Sequence, residues 1–302
     1  MLKTVFKSLV LTSVPIALHA QIQITVNNSF IEKYKDRVTL EATYTVDKAH
    51  PHPNPPKKDG DLHIAGRAPE IGLPTVAEIM NAGSEDSAVA LVHAVEGTGT
   101  PIDILGAWRI WCEHGGQSTQ LQGAMLTAFT TTNPEHVFEI HPILRVGGDS
   151  IPQSWVPISG YAPKDAEQAF TNYENRPSRI SVNAQKSTTT LTTTMAGYNY
   201  VEFKMVVNSP QKEVQDGRFV MAEVLTLDGD LLARNRRMVF AKGTPPEEKV
   251  KTLQVGDTLH VLGVPRVDLA LVSWRVRNRT TRPEALTWNL PYEIVVVGVY
   301  EE

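Results

Sequence analysis

Two stretches of this chain say nearly the same thing. Leu105-Gly106-Ala107-Trp108-Arg109-Ile110 is matched by Leu262-Gly263-Val264-Pro265-Arg266-Val267, and Phe138-Glu139-Ile140 is matched by Tyr292-Glu293-Ile294. The arginine precedes the glutamate by 30 residues in the first half and by 27 in the second. Shared words in the same order at similar spacing predict an internal duplication, and hence two like units in tandem.

Each half also follows the same order of elements. In the first, runs of β-branched and aromatic residues over Val38–Val46, Leu62–Gly66 and Thr75–Met80 read as strands. A helix capped by Ser84 to Ser87 and stopped at Gly97 follows, then strands over Ile102–Trp111 and Val137–Val146. The second half repeats this with strands over Tyr200–Val207, Phe219–Leu227 and Leu231–Ala241, a helix opened by Thr244-Pro245-Pro246, and strands over Thr258–Val267 and Tyr292–Tyr300. Three strands, a helix and two strands is the footprint of the OB-fold, a five-stranded Greek-key barrel. The expected class is therefore all-β with short helices, built from two tandem OB-like barrels over residues 21–146 and 181–302. Gly147-Gly148 and the proline-containing run to Pro163 mark residues 147–180 as a linker, with a short helix over Asp165–Asn172. Thr188–Thr194 reads as an extra edge strand or an unstructured approach to the second barrel.

Lys3 and Lys7, an apolar stretch from Leu9 to Leu18 and the small Ala20 have the order of a secretory signal peptide over residues 1–20, which predicts export to the periplasm or the medium. The single Cys112 forms no intrachain disulfide, so each barrel must rest on its own hydrophobic core. No later window is long and apolar enough to span a bilayer, so no membrane span is expected after cleavage. Residues 21–160 carry 9 basic and 16 acidic residues, whereas residues 161–302 carry 18 and 17. An acidic first half repels polyphosphate and makes nucleic acid a poor partner.

Seven of the eight histidines beyond the leader fall in the first half. On the expected fold, His50 and His52 lie on the loop between strands one and two with His63 just past it, while His114 ends strand four and His136 opens strand five. Those two loops rise on one rim of an OB barrel, so His50, His52, His63, His114 and His136 are the candidate metal ligands, and a divalent transition metal is the one cofactor they suggest. Glu139 and His141 share a strand face and are expected to form a hydrogen-bonded pair. In the second half, Arg234, Arg236, Arg275 and Arg277, with Arg279 and Arg282 beyond and Trp274 beside them, would form a cationic, aromatic groove for an anionic polymer or glycan.

Asp59-Gly60-Asp61-Leu62-His63-Ile64, Glu113-His114 and Glu139-Ile140-His141-Pro142 together resemble a pattern in uncharacterised exported bacterial OB-fold proteins. Those proteins carry an aspartate–x–histidine strand and a strand reading glutamate–apolar–histidine–proline. The resemblance covers residues 38–146. It implies an OB barrel and a shared role for His63, His114 and His141, and it implies no activity.

No Gly-x-Ser-x-Gly elbow and no phosphate loop occurs, and Cys112 lies inside a strand without an oxyanion donor. The chain therefore reads first as a binding or interaction protein for a glycan, a peptide or an envelope protein. The alternative is a metal-binding or metal-dependent hydrolytic protein using the histidines of the first barrel. A structural envelope scaffold is the third reading.

Overall fold

A computed structural model describes residues 21–278 and 287–301. Residues 1–20, which the sequence reads as a signal peptide, and Arg279 and Arg282 of the expected groove lie outside the described residues. The chain opens with β1 (Gln21–Asn27) and α1 (Asn28–Tyr34). Then come β2 (Thr39–Ala49), β3 (Leu62–Arg67), β4 (Thr75–Ile79), α2 (Asp86–Val95), β5 (Pro101–His114), β6 (Gln117–Thr119), β7 (His136–Val146) and β8 (Asp149–Ser150). Past the connector lie α3 (Ala166–Glu174), β9 (Pro177–Asn183) and β10 (Thr188–Thr194). The second half holds β11 (Val201–Val207), β12 (Lys212–Val214), β13 (Gly217–Leu225), β14 (Leu231–Ala241), α4 (Pro245–Val250), β15 (Thr258–Val267), α5 (Leu269–Arg277), β16 (Thr287–Asn289) and β17 (Tyr292–Val299).

In the first barrel β2 pairs antiparallel with β3 and β5, β3 with β4, and β5 with β7, while β4 closes the ring by running parallel to β7. In the second, β11 pairs with β13 and β15, β13 with β14, β15 with β17, and β14 closes in parallel on β17. With α2 and α4 inserted between the third and fourth strands of each ring, both are OB-type barrels, as the order of elements predicts. The α4 cap forms as its sequence demands: Thr244 accepts from the Glu247 amide and Glu247 reaches back to the Gly243 amide.

The repeated words occupy matching places. Arg109 is the cross-strand partner of Glu139, and Arg266 that of Glu293. A Cβ on Gly106 would stand 2.6 Å from Ile140 Cγ2, and one on Gly263 would stand 2.4 Å from Ile294 Cγ2, so the same strand crossing requires glycine in both barrels. The two arginines meet at the seam between the barrels. Arg109 Nε donates to the carbonyl of Pro265 at 2.8 Å, and Arg266 donates to the carbonyl of Trp108 at 3.0 Å. Each arginine thus bonds the residue just before the other, which is a local two-fold arrangement.

A third sheet, in the order β16, β9, β10, β1, β6, draws strands from both sides of the expected linker. The threonine run is an inner strand of this sheet rather than an edge, lying between β1 and β9. Period two explains it: Thr189, Leu191 and Thr193 are buried, and Thr25 and Thr190 join their hydroxyls at 2.8 Å across the strands. Among the described residues no helix is long and apolar enough to cross a membrane.

Candidate metal centre

Strand alternation sends Leu62, Ile64, Ala77, Ile79, Phe138 and Ile140 into the first barrel's core. The residues between them, Asp61, His63, Glu78, Glu139 and His141, therefore share the outer face of β3, β4 and β7, with Arg109 beside them on β5. In an OB barrel this is the usual ligand face. Here the connector roofs it. Trp155, Ile158 and Tyr200 pack with Met80, Trp155 Nε1 donates to the carbonyl of Ile143, and Asn81 ties the backbone of Ser154 and Val156 to the barrel.

Under that roof lies a connected polar network. Tyr200 donates to Asp61 Oδ2 at 2.7 Å and lies 2.7 Å from His141 Nε2. His141 Nδ1 lies 3.3 Å from Glu139 and 3.4 Å from Glu78. The expected Glu139–His141 pair is present, with more partners than the sequence suggested. Glu139 also takes a close ion pair from Arg109, whose other end donates to Glu113 at 3.1 Å. Burial opposes ionisation of Glu139, but Arg109 and the hydrogen bonds of His136 and His141 hold its carboxyl well below the usual range. Burial likewise works against the His141 proton. The Glu78 charge and the bonds to Asp61 and Glu139 outweigh it and raise His141 to about 10. Burial pushes Asp61 up to about 7 against the pull of His141.

Four of the five candidate histidines arrive as two stacked pairs flanking this network. His50 lies on His63 with ring centroids 4.6 Å apart, and His114 on its cross-strand partner His136 at 4.8 Å. His52 is exposed on the loop and joins neither pair. His63 Nε2 stands 3.8 Å from Glu78 and 3.9 Å from Asp59, beyond hydrogen-bond reach.

The second pair has a ligand geometry. His136 Nδ1 lies 2.8 Å from the carbonyl of Pro134, which fixes that nitrogen as a donor and turns Nε2 toward Glu139; burial opposes the second proton, but the bond to Glu139 and its charge raise the proton affinity of the ring, so a metal at Nε2 would take that proton's place. Nε2 points at Glu139 Oε1, 3.3 Å away. Two donors bound to one metal at 2.0–2.1 Å in a tetrahedron stand about 3.3–3.4 Å apart. The ligand atoms of His114, His136 and Glu139 all lie within 4.8 Å of one another. Burial lowers the affinity of His114 for a proton, so its ring is free to coordinate, and its exposed edge leaves the rim open to solvent.

The second barrel shows what the fold itself requires. By register, Asp61, His63, Glu78 and His141 correspond to Gly217, Phe219, Val239 and Val295, and His136 corresponds to Leu290. The copy keeps the arginine–glutamate pair and replaces the rest of the polar face with apolar residues or glycine.

Arg234, Arg236 and Arg275 are engaged elsewhere. Arg236 grips Glu174 with two bonds of 2.7 Å and lies over the Tyr292 ring, and Arg234 pairs with Glu223 at 3.0 Å. Arg275 and Arg277 lie on α5, a helix where the sequence suggested only a charged segment after the strand, and Arg275 donates to the carbonyl of Asn289. Trp274, on the same helix, is half exposed. Cys112 is fully buried and its thiol is pushed up to about 12 by burial, consistent with a packing role.

No family model matches the chain, and no curated protein matches it.

Proposed function

We propose that the protein is an exported two-barrel binding protein whose ligand is a divalent transition metal, held at the rim of the first barrel by His114, His136 and Glu139. The orientation of His136 carries the reading: one ring nitrogen is fixed on the Pro134 carbonyl and the other faces the Glu139 carboxylate at 3.3 Å, the separation of two donors to one metal. Imidazole and carboxylate donors suit zinc, copper, nickel or iron. Export is supported by the order of charged, apolar and small residues over residues 1–20. The second barrel supports it further: it keeps the Arg266–Glu293 pair but has Leu290 where the first barrel has the buried His136, so the duplicated fold closes without that imidazole.

Isothermal titration of chelator-treated protein with zinc tests the proposal. About one accessible equivalent is expected, weakened more than tenfold by His136→Gln and by His114→Gln. Equal binding by wild type and both variants would rule the rim site out.

A further inference from the structure

The roofed network contains a second set of donors, distinct from the rim. His141 Nε2, the Tyr200 hydroxyl oxygen and Asp61 Oδ2 form a triangle with sides of 2.7, 2.7 and 3.5 Å. A point about 2.1 Å from all three, the length of a metal bond to nitrogen or oxygen, lies roughly 1 Å off its plane. Glu78 is the candidate fourth donor: a ligand atom of Glu78 falls within 4.8 Å of one on Asp61 and one on His141, and its Oε2 stands 3.4 Å from His141 Nδ1.

Three further observations point the same way. Asp61 is fully buried, yet its Oδ1 has no hydrogen-bond partner. His141 Nδ1 rests on Glu139, the arrangement that orients a metal-ligating imidazole through its other nitrogen. The counterparts of Asp61, Glu78 and His141 in the second barrel are Gly217, Val239 and Val295, so strand pairing does not call for the set.

We infer that Asp61, Glu78, His141 and Tyr200 bind a second divalent transition-metal ion, enclosed beneath the connector, which ties the first barrel to the start of the second. Binding such an ion would release the protons on His141 Nε2 and the Tyr200 hydroxyl, with the two charges of the metal in their place. Three ligands come from barrel one and Tyr200 from the residue before β11, so the ion enters as the barrels dock and leaves only when they part. The inference extends the metal reading from the open rim to a closed site.

The test separates the two sites. Full-length protein carrying His114→Gln, an exposed change that disables the rim, is refolded from denaturant in zinc, stripped with chelator in the folded state and assayed for metal. About one equivalent is expected to survive stripping, as for an enclosed structural ion. Adding Tyr200→Phe, which keeps the ring against Tyr161 and removes only the oxygen, should cut retention at least tenfold, with far-UV circular dichroism confirming the fold. No retained zinc in the His114→Gln chain, or equal retention with Tyr200→Phe, overturns the enclosed site. The rim stands or falls separately, on chelator-accessible zinc in wild-type protein folded without metal.

Discussion

Both ring nitrogens of His141 face oxygen, and in the metal-free protein this makes it a doubly donating imidazolium among Glu78, Glu139, Asp61 and Tyr200. Its proton affinity is raised from 6.5 to about 10, so its contribution to stability is fully present below 6.5 and is lost as pH rises through 10. Asp61, raised to about 7, runs the same way, with stability lost as pH rises from its unfolded value to 7. Above the range where His50, His63 and His114, whose proton affinities burial lowers, contribute with the opposite sign, chelator-treated protein should melt at progressively lower temperature from pH 7.5 to pH 10, and His141→Gln should flatten that slope. A melting temperature that climbs over this interval would contradict the network. Part of the site was legible before the fold was known, because His63, His114 and His136 lie at strand ends whose loops share a rim. Asp61 was legible too, two residues before His63 in the aspartate–x–histidine pattern. Glu78 was not singled out: it sits singly in an apolar strand, and only its parity, opposite to Ile79, marks it as facing away from the core. Tyr200 could not be paired with His141 from sequence, since they belong to different halves.

The barrel strands were readable to within a few residues because alternation, turn glycines and the repeated words all agree. The third sheet was not. β1 directly follows the segment read as a signal peptide, and the threonine run has no apolar stripe to name its partner. Its order comes from β1, which pairs along seven residues of β10 and runs parallel to β6 on its other side. Removing residues 21–27 should expose β10 to protease between residues 184 and 195 while both barrels stay resistant, as read by mass spectrometry of limited digests. Digestion that starts within a barrel instead would mean the sheet is required for the barrels to fold. α5 escaped the sequence reading for a related reason. Its Leu-Val-Trp-Val composition suits a strand as well as a helix, and what decides it is Asp268, which caps the first turn by accepting from the Leu271 amide.

At the scale of the whole molecule, the seam between barrels rests on two buried ion pairs that reach across to each other's backbone. Arg266 is fully buried, bonds Glu293 at 2.6 Å, and lies 3.6 Å over the Trp108 ring. Replacing it with methionine leaves Glu293 to Arg237 and strips the carbonyls of Val38 and Trp108 of their donor, which should cost about 1–3 kcal/mol in denaturant unfolding. Adding Glu293→Leu should lower stability further, because it takes the carboxylate from Arg237; a double variant more stable than the single would show instead that the carboxylate is the costly group once Arg266 is gone. The mutual grip of Arg109 and Arg266 has one further consequence. Two separate, identical barrels meeting across such an axis would carry every substitution twice, so neither could gain a histidine cluster without its twin gaining one too. Joined in one chain, the halves keep a common handshake while their outer surfaces go separate ways: one has become a lattice of imidazole and carboxylate, and the other has filled the same positions with glycine, phenylalanine and valine.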